Sequence, residues 1–315
     1  MQRHKLFLFL RIVVSLSLLG LLLWFTRENL SKIGQLLRSV NISLFIFAFV
    51  MFLFSIVFMA WRLKIILAGD RVLFSIKETF GLTLIGYFFT NFMPTTVGGD
   101  IVKGYFLSRK NKKRLSAYTS VFMDRTIGMF SVVLIANIAL LMMRGEIEHG
   151  FIIWVILSLL VFCVIFALSL FQQKLLQRIA HGTGASRILQ AIKLESPVKR
   201  AYQTLKGHAN NKGLILKTLA LSLSAQLICF YAVYLLSQSL SAYIPFAKIT
   251  LLMPIIIVLC ILPVSMNGLG LREWSFVFFF SPYVGEPAAL SLALLYLAMF
   301  LFTSLMGGII YLFWR

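Results

Sequence analysis

The sequence predicts an all-α fold: a polytopic transmembrane helical bundle with two Pro/Gly-broken re-entrant segments. Three observations carry the prediction. Hydrophobic residues make up 60% of the 315 positions and charged residues 13%, and the mean hydropathy is +0.93. Apolar runs of about membrane-spanning length recur along the chain. Two further runs are interrupted by proline and glycines, with charges at the interruption.

The chain is organised around the second interruption, Leu262-Pro263-Val264-Ser265-Met266-Asn267-Gly268-Leu269-Gly270-Leu271-Arg272-Glu273. Proline removes a backbone donor, and glycine admits positive φ and close approach. In lipid, a broken helix persists only where protein or a wet cavity satisfies the freed groups. Arg272 and Glu273 at such a depth suggest a functional site. The first interruption is Met93-Pro94-Thr95-Thr96-Val97-Gly98-Gly99-Asp100-Ile101-Val102-Lys103. In each, a base stands nine residues after the proline: Pro94 to Lys103 and Pro263 to Arg272. The acids do not align, since Asp100 precedes its base and Glu273 follows. Paired interruptions in two halves of a chain point to an inverted repeat and to a transporter's binding site. The alternative is two unrelated loops in an apolar chain.

Composition narrows the class. The 30 Lys+Arg against 10 Asp+Glu give a net charge of +20. In a soluble protein that would suggest nucleic acid. Here it reads as basic loops on the cytoplasmic face touching anionic headgroups, and no nucleic-acid partner is expected. Cys163, Cys229 and Cys260 lie scattered in apolar runs and read as small core residues. The four histidines have no metal-ligand spacing, and no metal or cofactor is expected.

In chain order, residues 6–25 read as a retained first helix with the N-terminus inside, because Trp24-Phe25-Thr26-Arg27 is a poor processing site. Residues 28–41 repeat apolar positions at helical spacing and suggest an interfacial amphipathic helix. A span follows over 43–67, with Arg62 and Lys64 read as snorkelling anchors. Residues 80–92 are short for a span, and 103–114 hold six bases. Both flanks therefore belong inside, which a re-entrant hairpin satisfies. Residues 116–143 span outward and carry Asp124 and Arg125. Neighbours on a helix point about 100° apart, so these two need not pair with each other.

Residues 151–171 return inward. Residues 172–212 hold eight bases and one acid, and read as cytoplasmic headgroup-level helices. Residues 214–235 cross outward, the second broken segment dips in from outside, and 288–313 return inward. The chain is read as one membrane domain, 1–315. Its first half, 1–143, has a broken segment near 91–108. Its second half, 144–315, has the basic segment and a broken segment near 249–281. The expected location is the cytoplasmic (inner) membrane, with both termini cytoplasmic.

Asn91-Phe92-Met93-Pro94, Gly98-Gly99-Asp100 with Lys103, Asp124-Arg125 with Gly128, and the second broken segment together resemble the lysyl-phosphatidylglycerol synthase transmembrane-region family. That family is also described as flippase-like integral membrane proteins. The resemblance implies a lipid-translocating membrane domain. Full bacterial synthases add a soluble aminoacyl-transferase domain, and the end of this chain at Arg315 leads us to expect none here. Lys103 stands where family members often have arginine, which keeps the charge but loses the bidentate fork.

Asp100, Asp124, Glu273, Lys103, Arg125 and Arg272 all lie in or beside apolar segments. Six unpaired charges would cost on the order of 15–20 kcal/mol on insertion scales, so they must pair or face a wet cavity. The candidate headgroup-binding set is Lys103, Arg272, Asp100, Glu273, Asn91 and Asn267. Arg272 is the first expected contact for phosphate. Asp124 and Arg125 would support that set. Pro94, Gly98, Gly99, Pro263, Gly268 and Gly270 are the breaks and hinges. The expected function is a lipid or glycolipid flippase acting on anionic or lipid-linked headgroups. The rivals are a non-catalytic scaffold for cell-envelope biosynthesis proteins and a lipid-modifying membrane enzyme. No catalytic constellation supports the enzyme.

Overall fold

The computed structural model describes residues 17, 20–22, 24, 26–70, 72–93, 97–111, 114–142, 211–261 and 265–314. All regular structure among the described residues is helical: α1 (Leu30–Arg38), α2 (Ile42–Gly69), α3 (Ile76–Phe92), α4 (Gly98–Asn111), α5 (Arg114–Met142), α6 (Lys212–Ser239), α7 (Phe246–Ile261), α8 (Leu271–Val284) and α9 (Glu286–Leu312). Among the described residues, four stretches are long and apolar enough to cross a membrane: Ile42–Gly69, Leu115–Met142, Lys212–Ser239 and Glu286–Leu312. The expected spans over 6–25 and 151–171, most of the basic segment 172–212, Pro94 and Pro263 lie outside the described residues.

Helix starts follow local chemistry. Asn41 opens α2 by accepting from the Leu44 N–H, and Asn211 opens α6 by accepting from the Leu214 N–H. Ser75 and Glu78 form a reciprocal capping box at the start of α3. The amphipathic pattern over 28–41 becomes α1, which buries Ile33.

α2 and α6 form the most extensive helix pair. The Asn41 N–H donates to Ser239 O at 2.9 Å, joining the start of one to the finish of the other, so the pair is antiparallel. α9 runs antiparallel to α3 and against it. A Cβ added at Gly307 would run into the Leu84 carbonyl, so these two helices meet backbone on backbone. Nearer the chain's end, Trp314 crowds Gly81.

α3 and α4 form one hairpin, and α7 and α8 a second. Their arms have 17, 14, 16 and 14 residues. At 1.5 Å per residue each arm falls short of the roughly 30 Å hydrocarbon layer. Both arms of the first hairpin open beside Trp314: Gly81 from α3, and Phe106 from α4 at 6.4 Å between ring centres. The second opens at the other end of α9. There Lys248 of α7 lies 5.8 Å above the Tyr283 ring of α8. A groove of about 730 Å³ joins the same end to α1, lined by Lys32, Ser39, Leu240, Tyr243, Tyr283 and Pro287. The two hairpins therefore open toward opposite ends of the bundle.

Candidate functional site

The first hairpin is tight because small residues face each other across it. A Cβ on Gly99 would strike the Gly86 carbonyl and the Thr90 hydroxyl. One on Gly86 would strike the Lys103 side chain, so Lys103 lies across bare backbone of α3. One residue beyond Gly99, Asp100 accepts from Lys103 Nζ at 3.3 Å and from Arg125 Nη1 at 2.5 Å. Two cations on two helices thus share one carboxylate.

Asp124 and Arg125 part company, as their helical spacing allows. Arg125 faces Asp100 on α4, whereas Asp124 faces Arg62 on α2 at 2.6 Å. Arg62 also donates from Nη1 to Ser222 Oγ of α6 at 2.6 Å. Gly128, one turn after Asp124, leaves the guanidinium its space. The expectation that Arg62 snorkels to the surface is therefore wrong. It is buried, and a partner in the interior outcompetes the interface. The signal was available in Asp124: an acid deep in an apolar run requires a base.

The second broken segment turns through three positive φ values in four residues: Asn267 (49°), Gly268 (74°) and Gly270 (82°). Asparagine tolerates the left-handed region better than most residues. Glu273 then opens α8. Its Oε2 accepts from the Gly270 N–H at 2.6 Å, and its Oε1 accepts from Arg272 Nε at 3.0 Å and Nη2 at 2.9 Å. The Arg272 guanidinium sits over Tyr296 at 5.8 Å and Phe300 at 5.7 Å, both on α9. Arg272, expected to reach for phosphate, thus directs Nε and Nη2 at its neighbour. Tyr296 and Phe300 escaped the sequence reading, because aromatics in an apolar helix look like core.

The two tips touch. Asn267 Nδ2 donates to Asn91 Oδ1 at 2.5 Å across 176 positions of sequence. Tyr87, one turn before Asn91, meets Phe300 edge-on at 5.2 Å, so the Arg272 aromatic seat reaches the first hairpin as well. Asn91 Nδ2 and Ser265 Oγ are buried at these tips with no hydrogen-bond partner among the described residues. The structure thus brings Asn91 and Asn267 together, and separately Asp100, Lys103 and Arg125. Asp124 leaves that group for Arg62, and Arg272 with Glu273 forms a third.

The sequence profile described as lysylphosphatidylglycerol synthase TM region matches residues 8–307. The chain belongs to this family. No curated protein and no solved structure matches the chain. Membership of the lysylphosphatidylglycerol synthase TM-region family makes this an integral membrane domain with a lipid-related role. Among the described residues, no group of three or more His, Cys, Asp or Glu could hold a metal ion.

Proposed function

We propose that this family member moves lipid headgroups between leaflets through the polar junction where its two hairpins meet. The single observation that carries the reading is the Asn91–Asn267 contact between tips whose hairpins open toward opposite ends. A headgroup leaving one end reaches the other by passing this junction, while its acyl chains stay in lipid. Asp100, Lys103 and Arg125 line the approach in the first hairpin. Arg272 and Glu273 hold the second in shape. The glycines at the breaks let the tips separate. The end beside Trp314 is cytoplasmic, because the bases of 109–114 stand where α4 finishes at that end. The membrane is the cytoplasmic (inner) one. The two halves of the single domain, 1–143 and 144–315, each contribute one hairpin.

The test is exchange of labelled anionic and sugar-linked lipids between leaflets of proteoliposomes. Wild type runs beside Arg272→Ala and Asp100→Asn, each checked for folding. Exchange of one headgroup class, lost in folded variants, is the expected result. No exchange by a well-folded protein would sink the reading. One observation favours a scaffold instead: Arg272 and Glu273 satisfy each other in a sealed position, as a purely register-fixing pair would. Exchange at wild-type rates in both variants would remove the junction as the route.

A further inference from the structure

We propose that the junction of the two tips binds neighbouring sugar hydroxyls through Asn91 and Ser265. The proposal rests on the transport reading above and names the headgroup chemistry that the junction takes. Among the described residues, three buried side-chain atoms have no hydrogen-bond partner. Two of them, Asn91 Nδ2 and Ser265 Oγ, belong to the contacting tips, and the third, Gln238 Nε2, belongs to α6. Asn91 touches Asn267 directly, and Ser265 stands two positions before Asn267. Ser265 is only 3% exposed.

Elsewhere this chain satisfies such groups locally. Thr83, Ser131 and Ser275 return their hydroxyl protons to the carbonyl four residues back. The Asn137 amide donates to the Val133 carbonyl in the same way. Asn91 also lies within a helix, yet its carboxamide turns to Asn267 instead. Ser265 has an extended backbone, φ −126° and ψ 166°, which does not bring its hydroxyl back to a carbonyl one turn earlier. The turn that follows is held on both sides. Gly268 lies so close to Cys260 that an added Cβ would meet it at 3.0 Å, and Glu273 binds the Gly270 N–H. A buried polar group left unpaired is costly, and a ligand that pairs it recovers that cost.

The two atoms select the ligand. An amide nitrogen only donates, whereas a serine hydroxyl both donates and accepts. The ligand must offer an acceptor to Asn91, and it can exchange a proton in either direction with Ser265. A carbonyl or an ether only accepts, and an ammonium only donates. A hydroxyl does both, and two adjacent hydroxyls on one ring serve two protein groups at once. The junction does not call for a charge. The ion pair later in the same segment closes on itself, with Arg272 Nε and Nη2 on one Glu273 oxygen and the Gly270 N–H on the other.

The test uses the purified full chain in a polyoxyethylene detergent, which carries no sugar. Binding is read by thermal shift and native mass spectrometry. The probes are monogalactosyldiacylglycerol, the same lipid with every sugar hydroxyl methylated, phosphatidylcholine and soluble methyl galactoside. The galactolipid should bind at least about tenfold tighter than its methylated form or phosphatidylcholine. Ser265→Ala should erase most of that preference, and Ser265→Thr should restore it, because an extended backbone suits a β-branched residue. Asn91→Asp keeps an oxygen for Asn267 and removes the donor, so it should weaken galactolipid binding as well. Without ligand, Ser265→Ala should melt at the wild-type temperature or above, since it deletes an unpaired group. If methyl galactoside displaces the galactolipid, the hydroxyls themselves are recognised, whatever carries them. If it fails to compete while the preference holds, the sugar must arrive on a lipid.

Equal binding of the galactolipid and its methylated form would overturn the proposal. So would a preference that survives both Ser265→Ala and Asn91→Asp in folded protein. A fall of more than about 2 °C in the melting temperature of ligand-free Ser265→Ala would also overturn it, because the hydroxyl would then already be satisfied by protein or water. Should Ser265→Thr prove too bulky to fold, the alanine and aspartate variants still decide. Selective binding without leaflet exchange would sink transport and leave this site. Exchange that ignores the sugar hydroxyls would sink the site and leave transport.

Discussion

Arg62 and Asp124 meet at 2.6 Å from helices 62 positions apart in sequence, and Ser222 takes the other end of the guanidinium. One buried ion pair thereby ties three long helices, α2, α5 and α6, at a single depth. Removing one partner leaves the other charged and stranded. Asp124→Asn or Arg62→Met should each cost about 3–5 kcal/mol, while the double change Arg62→Met with Asp124→Leu should recover most of the loss. Equilibrium unfolding in mixed micelles measures this. A double variant as weak as either single would contradict the pairing.

The close approach of the first hairpin's arms makes a steric prediction. Gly99→Ala would push a methyl into the Gly86 carbonyl, where backbone must shift. A loss of about 1–3 kcal/mol is expected. Gly34→Ala, half-buried on α1, meets nothing and should gain about 0.5–1 kcal/mol. Melting temperatures of the two variants should move in opposite directions.

Asn267 serves two needs, a left-handed backbone and a bond to Asn91. Asn267→Gly keeps the backbone and loses the bond, whereas Asn267→Val strains the backbone too. Valine should therefore be the worse by about 1–3 kcal/mol. A double-mutant cycle of Asn267→Gly with Asn91→Ala should give a coupling of about 0.5–1.5 kcal/mol. Strictly additive losses would mean that the tips do not communicate.

The opposed hairpins can be read by labelling. In a background lacking Cys163, Cys229 and Cys260, single cysteines at the exposed Arg109 and Tyr243 belong to opposite ends of the bundle. A membrane-impermeant maleimide applied to sealed vesicles should reach one and spare the other. Labelling of both from one side would refute the topology.

Much of this arrangement was legible in the sequence because it rests on local chemistry. Proline, glycine and an apolar run of only about 12 or 13 residues announce a short arm that turns back. Loop charge adds an expected orientation, which the labelling above tests. Helical geometry left Asp124 and Arg125 free to find separate partners. What the sequence withheld was partner choice. Arg62 looked like an interfacial anchor because it stands in the last third of its run, and its true partner is set by how α2 and α5 pack. Arg272 and Glu273 pair although helix neighbours ordinarily diverge. They do so because Glu273 caps the new helix and brings its carboxylate back over its first residues. Tyr296 and Phe300 carried no signal, since an aromatic under a guanidinium looks the same in sequence as one in lipid.

The Gly307–Leu84 contact gives the two hairpins unequal mechanical freedom. α9 is welded to the first along bare peptide, with no side chain there to repack. Near the second tip it meets Arg272 through the Tyr296 and Phe300 rings, and Tyr296 also packs against Phe276 of α8 at 5.4 Å. Were the tips to part, α9 and the first hairpin would move together. A separation of the tips would then have to be taken up at the ring-to-guanidinium seat rather than along the contact of α9 with the first hairpin.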